Sequence, residues 1–80
     1  MKLGFAPHFQ ERLQDFPAEV RKKFYKQVGY LLRNIRHPSL HAKKYDEQND
    51  IWQARVDDHI RFYFMMEGDT YVLLTIRTHP

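Results

Sequence analysis

Five side chains in the C-terminal part of the chain combine the residue types and the spacing that phosphate chemistry needs. Arg55, Arg61, Tyr63, Arg77 and His79 fall on alternate positions of short segments rich in β-branched and aromatic residues. Side chains at i and i+2 of a strand point to the same face, so these five share one face if the segments pair as a sheet. Guanidinium groups bind phosphate through a planar fork of donors, and an imidazole can move a proton near neutral pH. The pattern therefore indicates a surface that holds phosphate beside a proton-transfer group.

Residues 51–80 predict the sheet that would position these groups, because polarity alternates along three successive segments. Each predicted strand directs its apolar side chains away from the arginine face and towards a core. The predicted core face comprises Trp52, Ala54, Val56, Ile60, Phe62, Phe64, Val72, Leu74 and Ile76.

Two hairpins are expected to join these three strands. Matching core residues with core residues places Val56 opposite Ile60, and Met66 opposite Thr70. Both connections then have three residues, which is a common hairpin class. The second connection contains a glycine, which suits a turn.

The same register sets the neighbours of each arginine. It places Arg55 opposite Arg61, and Arg61 opposite Thr75. It also places Arg77 opposite His59 and diagonal to Arg61. Like charges that face each other across a ladder repel. The facing arginines are therefore either fully solvated or used against an anion.

Length and composition limit the classes of protein and of site. With 80 residues, we expect a single domain that spans residues 1–80. The chain has no cysteine, which excludes disulfides and thiol chemistry, and its five histidines are scattered, so no metal site and no cofactor are expected. No apolar run approaches the roughly 20 residues of a membrane span, and the N-terminal residues lack a signal-peptide pattern. The expected location is the cytoplasm, and the net charge of +3 favours anionic partners slightly.

The N-terminal half is expected to supply a strand and two helices. Residues 2–6 are mostly apolar, and residues 9–16 carry apolar side chains at helical spacing. A longer amphipathic helix follows and ends at His37-Pro38, because the residue before a proline disfavours the helical conformation. Residues 39–45 are expected to hold a further short strand. The predicted fold class is α+β, in the order β-α-α-β-β-β, with a two-helix hairpin packed on one face of a mainly antiparallel sheet.

Several segments match the pattern of a known family in their order and spacing. The segments Ile-Trp-Gln-Ala-Arg-Val at 51–56, Ile-Arg-Phe-Tyr-Phe at 60–64 and Tyr-Val-Leu-Leu-Thr-Ile-Arg-Thr-His at 71–79 resemble the closing strands of the RelE/ParE superfamily of toxin–antitoxin toxins. The first strand, the Phe-Pro pair at 16–17 and the long helix followed by His-Pro-Ser-Leu at 37–40 resemble its N-terminal half. The resemblance covers nearly the whole chain and implies a RelE-like fold.

The functions that this resemblance implies differ between two branches of the family. RelE-type members are ribosome-dependent endoribonucleases that cut mRNA in the decoding site, whereas ParE-type members poison DNA gyrase on the same fold. A cognate antitoxin inhibits both, and operator DNA is contacted only through the toxin–antitoxin complex. For this chain the resemblance implies a metal-independent mRNA endoribonuclease that acts on the ribosome and leaves a 2′,3′-cyclic phosphate. A gyrase poison, or a catalytically decayed toxin that retains antitoxin binding, are the alternatives.

The resemblance also assigns catalytic residues. Arg61 matches an arginine that contacts the scissile phosphate in ribonuclease members, and Arg55 matches a basic position on the preceding strand. His79 matches a C-terminal histidine that acts as an acid or base in YoeB-like members. Those members follow it with a catalytic tyrosine, and this sequence has Pro80 at that position. The second proton-transfer group therefore stays open.

Four further residues are the expected RNA contacts, namely Arg77, Lys43, Lys44 and Tyr63. The cationic groups would bind backbone phosphates, and Tyr63 would stack on a base. Tyr63 or Lys44 are also candidates for the open proton-transfer role. Each assignment has a structural alternative, since Tyr63 can pack against a cross-strand neighbour and Arg77 can be plain surface charge. Similarly, Arg55 and Arg61 can pair with the nearby carboxylates of Asp57 or Glu67.

Overall fold

The computed structural model describes residues 1–79, which contain five β-strands, two α-helices and one 3₁₀ turn. The helical segments are α1 (Phe9–Gln14), α2 (Ala18–Arg33) and the 3₁₀ turn (Pro38–Leu40). The strands are β1 (Lys2–Phe5), β2 (Lys43–Asp46), β3 (Ile51–Arg55), β4 (Ile60–Glu67) and β5 (Thr70–Thr78). A strand, two helices and then further strands follow each other as predicted, but four strands come after the helices, one more than in the order β-α-α-β-β-β. β2 overlaps residues 39–45, where a short strand was expected.

The five strands form one sheet in the order β1-β5-β4-β3-β2. β1 runs parallel to β5, and the other neighbouring pairs are antiparallel. The chain passes from one sheet edge to the other through α1 and α2, whose buried side chains pack on one face of the sheet. The predicted α+β class is therefore confirmed. None of the helices in residues 1–79 has the length and apolar character needed to cross a membrane.

The core lies between the two helices and one sheet face. Phe24, Val28 and Leu31 of α2 are at most 3% exposed, and the ring of Phe24 meets that of Phe62 at 5.5 Å in an edge-to-face contact. Each such side chain contributes about 1.5–3 kcal/mol on burial.

α2 ends at Arg33, four residues before His37, because the next residue takes an extended conformation. The core comprises Phe9, Leu13, Phe24, Val28, Leu31, Leu40, Ala54, Val56, Ile60, Phe62, Phe64, Tyr71, Leu73 and Ile76.

The hairpin between β4 and β5 differs from the prediction in its loop. Glu67 pairs with Thr70, so the loop has two residues, Gly68 and Asp69, and not three. Gly68 has φ of 58°, which glycine adopts without steric cost and which a type II′ turn requires at this position. The predicted pairing of Met66 with Thr70 is therefore wrong.

A bulge in β5 changes the register again. The pairs Tyr63–Thr75 and Phe64–Leu73 follow each other directly on β4 but leave Leu74 between them on β5. One extra residue reverses the in-and-out alternation of a strand. The side of the sheet that each β5 residue faces therefore changes at this point.

The bulge corrects the predicted core face of β5. Tyr71 and Leu73, between the loop and the bulge, are buried, whereas the predicted core residues Val72 and Leu74 are only partly buried. Ile76, beyond the bulge, lies in the core as predicted. The predicted core face of β5 is therefore correct beyond the bulge and wrong between the loop and the bulge.

Candidate active site

Three arginines form one row across the polar face of the sheet. Arg55 of β3 pairs with Arg61 of β4, as predicted, and Arg61 pairs on its other side with Arg77 of β5. The predicted neighbour of Arg61, Thr75, pairs instead with Tyr63. The shorter loop moves the β5 register by one residue and the bulge moves it by one more. Because the two shifts add to two, the arginines stay on one face and come into line.

The charge of this row is not neutralised within the described part of the chain. Adjacent strands lie about 4.8 Å apart, so the three arginine side chains extend from neighbouring positions on the sheet. In residues 1–79 no Asp or Glu side chain forms an ion pair with any of them. The alternative pairing with Asp57 or Glu67 is therefore not observed. Cross-strand repulsion between like charges then favours binding of an anion at this face.

Arg61 is the most buried member of the row, at 7% exposure. Its Nη1 donates to the main-chain oxygens of Asp57, at 2.6 Å, and Ile60, at 3.2 Å. The carboxylate of Asp57 serves the loop instead, accepting from the backbone N–H of His59 at 2.8 Å and of Ile60 at 2.9 Å. Val56 N also donates to Ile60 O at 2.9 Å, which confirms the predicted register of this hairpin. The loop thus fixes the position of the Arg61 guanidinium without neutralising its charge.

The backbone of Arg55 is held from the helical layer. Gln27 of α2 is 7% exposed, and its Nε2 donates to the oxygen of Arg55 at 2.9 Å and to that of Ser39 at 3.1 Å. Its Oε1 accepts from Ser39 Oγ at 3.2 Å. One side chain therefore ties α2, the 3₁₀ turn and the end of β3 together.

A pocket of about 430 Å³ opens on the cationic face between these elements. It brings together the predicted catalytic residues Arg55, Arg61 and His79, and one predicted RNA-binding residue, Lys43. No Asp or Glu of the described chain belongs to its lining. The other lining residues are His41, Ala42 and Gln53.

His79 reaches the pocket from the end of β5. Its backbone N–H donates to the oxygen of His59 at 2.6 Å, so His79 takes the place opposite His59 that the sequence had predicted for Arg77. The side chain is exposed. The comparison of Pro80 with the family's tyrosine lies outside the described residues.

The sequence analysis assigned none of His41, Ala42 and Gln53 to the site, and His41 is the titratable residue among them. It follows the 3₁₀ turn and has φ of 46° and ψ of 43°, in the left-handed region. Strand alternation does not place a residue in such a turn, so no face was assigned to it. The available signal was its position two residues before Lys43.

Arg77 is held by two tyrosines beside the pocket. Its guanidinium carbon lies 4.6 Å from the ring centroid of Tyr63 and 5.8 Å from that of Tyr45, and its Nη2 donates to the Tyr45 hydroxyl at 3.1 Å. Tyr63, and then Tyr45, raise the pKa of Arg77 against the opposing effect of burial. Tyr63 is 4% exposed and Tyr45 is 54% exposed. The predicted base-stacking face of Tyr63 is therefore largely covered, and Tyr45 presents the exposed ring.

Lys44 is directed away from the pocket. It pairs across the sheet with the core-facing Trp52, whereas Lys43 pairs with Gln53 on the polar face. Its Nζ lies 2.5 Å from the carboxylate of Asp50 and 3.8 Å from that of Glu47. The hydrogen bond to Asp50 is the main reason why the pKa of Lys44 is raised. Of the two predicted lysines, only Lys43 therefore reaches the pocket.

No family model and no curated protein matches the chain. The fold, however, matches solved structures over nearly its whole length. The YoeB/ParE toxin from Agrobacterium tumefaciens superposes with a TM-score of 0.81 at 16% identity, covering 100% of both chains. The chain has the RelE/ParE toxin fold.

Two toxin–antitoxin complexes show the same RelE/ParE fold. A chain of the archaeal RelE–RelB complex from Pyrococcus horikoshii OT3 gives a TM-score of 0.79 at 15% identity, covering 96% of this chain and 92% of that one. A chain of the YoeB–YefM complex from Staphylococcus aureus gives 0.79 at 14% identity, covering 100% and 98%. Identity at this level establishes the fold, and the roles of individual residues rest on the geometry of the pocket.

Proposed function

We propose that this chain is the toxin of a type II toxin–antitoxin pair and cleaves ribosome-bound mRNA without a metal or a cofactor. The observation that carries the proposal is the pocket in which Arg55, Arg61, Lys43 and His79 meet and to which the described chain contributes no carboxylate. The shared fold supports the toxin role, since the solved structures that match include a YoeB/ParE toxin and chains of RelE–RelB and YoeB–YefM complexes. The cytoplasm, where mRNA is translated, is the proposed place of action.

The proposed reaction is attack of the RNA 2′-hydroxyl on the adjacent phosphate, which releases the 5′-oxygen of the next nucleotide and leaves a 2′,3′-cyclic phosphate. Positive charge must meet the phosphorane as it forms, and Arg61 is suited to this because its guanidinium is fixed by two carbonyl contacts. Losing one well-placed donor of this kind costs about 3–4 kcal/mol, or about 10²- to 10³-fold in rate. Arg55 supplies a second cation, and His79 serves in proton transfer.

The burial of Arg61 supports a functional role more than a stabilising one. The side chain is 7% exposed, and no carboxylate of the described chain pairs with it. Removing a charge from water without a counter-charge costs free energy, and such local costs concentrate at functional sites. A scissile phosphate would supply the missing negative charge.

The exposure of the residues at the pocket rim supports a cleavage reaction that depends on the ribosome. His41, Lys43 and His79 are all exposed, so they leave a bound RNA strand considerable freedom. Orientation of the reacting groups is worth up to about 7–11 kcal/mol in favourable cases. A ribosome that holds mRNA in one conformation would supply this orientation, and the toxin would add charge and proton transfer.

Further RNA contacts are proposed for Lys43 within the pocket and for Arg77 beside it, which would bind backbone phosphates. A base would stack on the exposed ring of Tyr45, which meets the Tyr63 ring edge-to-face with 4.9 Å between centroids. Stacking of this kind is worth about 1–3 kcal/mol per base. Lys44 is engaged by carboxylates on the β2–β3 loop, and we assign it no RNA contact.

A cognate antitoxin is the proposed protein partner, as the RelE–RelB and YoeB–YefM complexes suggest for this fold. An antitoxin segment with acidic side chains would complement the arginine row and cover the pocket. Contact with operator DNA is proposed only through the toxin–antitoxin complex.

The test is induced expression followed by mapping of mRNA 5′ ends. We expect cuts at fixed positions within codons for the wild type, and their loss in Arg61→Ala. Arg12→Ala, which removes an exposed arginine of α1, is the matched control and should cleave as the wild type does. Intact mRNA with gyrase-dependent DNA breaks would refute the ribonuclease proposal in favour of a gyrase poison. Unaffected growth while folded protein accumulates would instead identify a decayed toxin.

A further inference from the structure

The pocket contains two groups that can exchange a proton near neutral pH. The pocket also contains Lys43, Arg55, Arg61 and Gln53. Lysine and arginine side chains ordinarily keep their protons at neutral pH, and a side-chain amide does not titrate. His41 and His79 are the remaining titratable side chains among the described lining residues. An imidazole has an ordinary pKa near 6.5 and therefore serves as either acid or base at neutral pH.

The two histidines enter the pocket from opposite sides of the arginine pair. His41 lies two residues before the start of β2, an edge strand of the sheet, and His79 follows β5. The strands between them are β3, which carries Arg55, and β4, which carries Arg61. A phosphate bound by these two arginines would therefore have one histidine on each side.

The turn that carries His41 is held firmly. Ser39 bonds to Gln27 of α2, and its backbone N–H donates to His37 Nδ1 at 3.2 Å. The His37 ring stacks on Tyr30 with 3.8 Å between centroids. The position of His41 relative to the pocket is thus set by contacts with the helical layer.

We propose that His41 is a catalytic residue and forms an acid–base pair with His79, an inference that rests on the proposed ribonuclease function. In an in-line displacement the attacking and leaving oxygens lie on opposite sides of phosphorus, so one side chain does not reach both. A histidine on each side of the arginine pair satisfies this requirement.

The proton balance of the step closes without any further reactant. One histidine, neutral at the start, takes the proton of the 2′-hydroxyl as the bond from the 2′-oxygen to phosphorus forms. The other, protonated at the start, gives its proton to the 5′-oxygen as the bond from phosphorus to that oxygen breaks. Phosphorus keeps its oxidation state, and the pair ends with its protons exchanged.

This pair predicts a bell-shaped dependence of the cleavage rate on pH, because one imidazole must be neutral and the other protonated. Two of the groups near the rings are already engaged in hydrogen bonds. The carboxylate of Asp57 is engaged by the backbone of the β3–β4 loop, and His37 Nδ1 accepts from Ser39. The charged and titratable neighbours are Arg36, His37, Lys43, Arg55, Asp57, His59, Arg61 and Arg77.

The test compares His41→Asn and His79→Asn with the wild type in single-turnover cleavage of mRNA on ribosomes. Asparagine tolerates the left-handed conformation of residue 41, so the turn should persist. We expect each variant to lose about 10²- to 10⁴-fold in rate and one limb of the pH profile. A substrate with sulfur in place of the scissile 5′-oxygen needs no acid, so it should rescue one of the two variants and not the other.

His8→Asn is the matched control, because His8 also has a left-handed backbone, with φ of 69°, and lies outside the pocket. It should cleave as the wild type does. If His41→Asn retains the wild-type rate and both limbs while Arg61→Ala is inactive, the ribonuclease function stands and the role of His41 is refuted. Rescue of neither variant, or of both, by the sulfur substrate would also contradict the pair. If the wild type leaves ribosome-bound mRNA intact, the proposed function fails and His41 has no catalytic role in it.

Discussion

Gln27 provides a direct test of how the pocket is anchored. Its side chain makes hydrogen bonds to the oxygen of Arg55, the oxygen of Ser39 and the hydroxyl of Ser39, and it is 7% exposed. Gln27→Met keeps an unbranched side chain of similar length but removes all three bonds. Each hydrogen bond is worth about 1 kcal/mol net, so the loss should be about 3 kcal/mol. A domain of this size has a free energy of unfolding of about 4–12 kcal/mol, which makes the effect large.

The assay is equilibrium unfolding in urea, followed by tryptophan fluorescence at the single Trp. Gln10→Met, at an exposed position of α1, is the control and should change the free energy of unfolding by less than about 0.5 kcal/mol. Combining Gln27→Met with Ser39→Ala should show a coupling of about 0.5–1.5 kcal/mol, because both changes remove the same hydroxyl–amide bond. A loss below about 1 kcal/mol for Gln27→Met would contradict the assigned bonds. Strict additivity of the double variant would exclude the bond between the two side chains.

Three further predictions concern other parts of the fold. Gly68→Ala should lower the free energy of unfolding in urea by about 1–2 kcal/mol, because φ at this position is 58°. Gly29→Ala within α2 should raise it by about 0.5–1 kcal/mol, because no atom lies near the added Cβ. A change of the same sign in both variants would contradict the turn assigned to Gly68. The side chain and then the backbone N–H of Asn49 lower the pKa of Asp46 below its ordinary 3.8. This contact therefore stabilises the folded state above pH 3.8, and the stabilisation is lost as the pH falls through the lowered pKa. An NMR titration should show the Asp46 midpoint rising in Asn49→Ala, and an unchanged midpoint would refute this cause. Tyr45→Ala should weaken mRNA binding by about 10-fold or more without changing the maximal cleavage rate, while Tyr45→Phe should retain binding; a fall in the maximal rate alone would oppose the stacking role.

Much of the fold could be predicted because its periodicity is local. The β3–β4 hairpin was placed correctly, since apolar and polar residues alternate cleanly there and the Asp57 side chain closes the loop. β5 was harder, because apolar side chains occupy four consecutive positions, 71–74, and both faces of the strand then look equally apolar. A bulge in such a run leaves no trace in the pattern. The register of this strand was therefore set by packing against β4 and the helices.

The candidate site divides in the same way. Strand alternation was sufficient to place Arg55, Arg61 and His79 on one face, and the pocket contains all three. It was not sufficient for His41, whose position depends on a left-handed turn held by contacts with α2. Nor did it show that Lys44 would be engaged by carboxylates of the following loop.

By itself, the sequence determined the order of the elements, the α+β class and the gathering of arginines on the polar face, because these follow from the spacing of side chains along a strand or helix. Only the tertiary structure decided that Arg55, Arg61 and Arg77 stand in one row, since this needed two register shifts that add to two residues. The tertiary structure also brought His41 to the pocket opposite His79. Both results depend on how separate segments pack against each other, which the periodicity of a single segment does not encode.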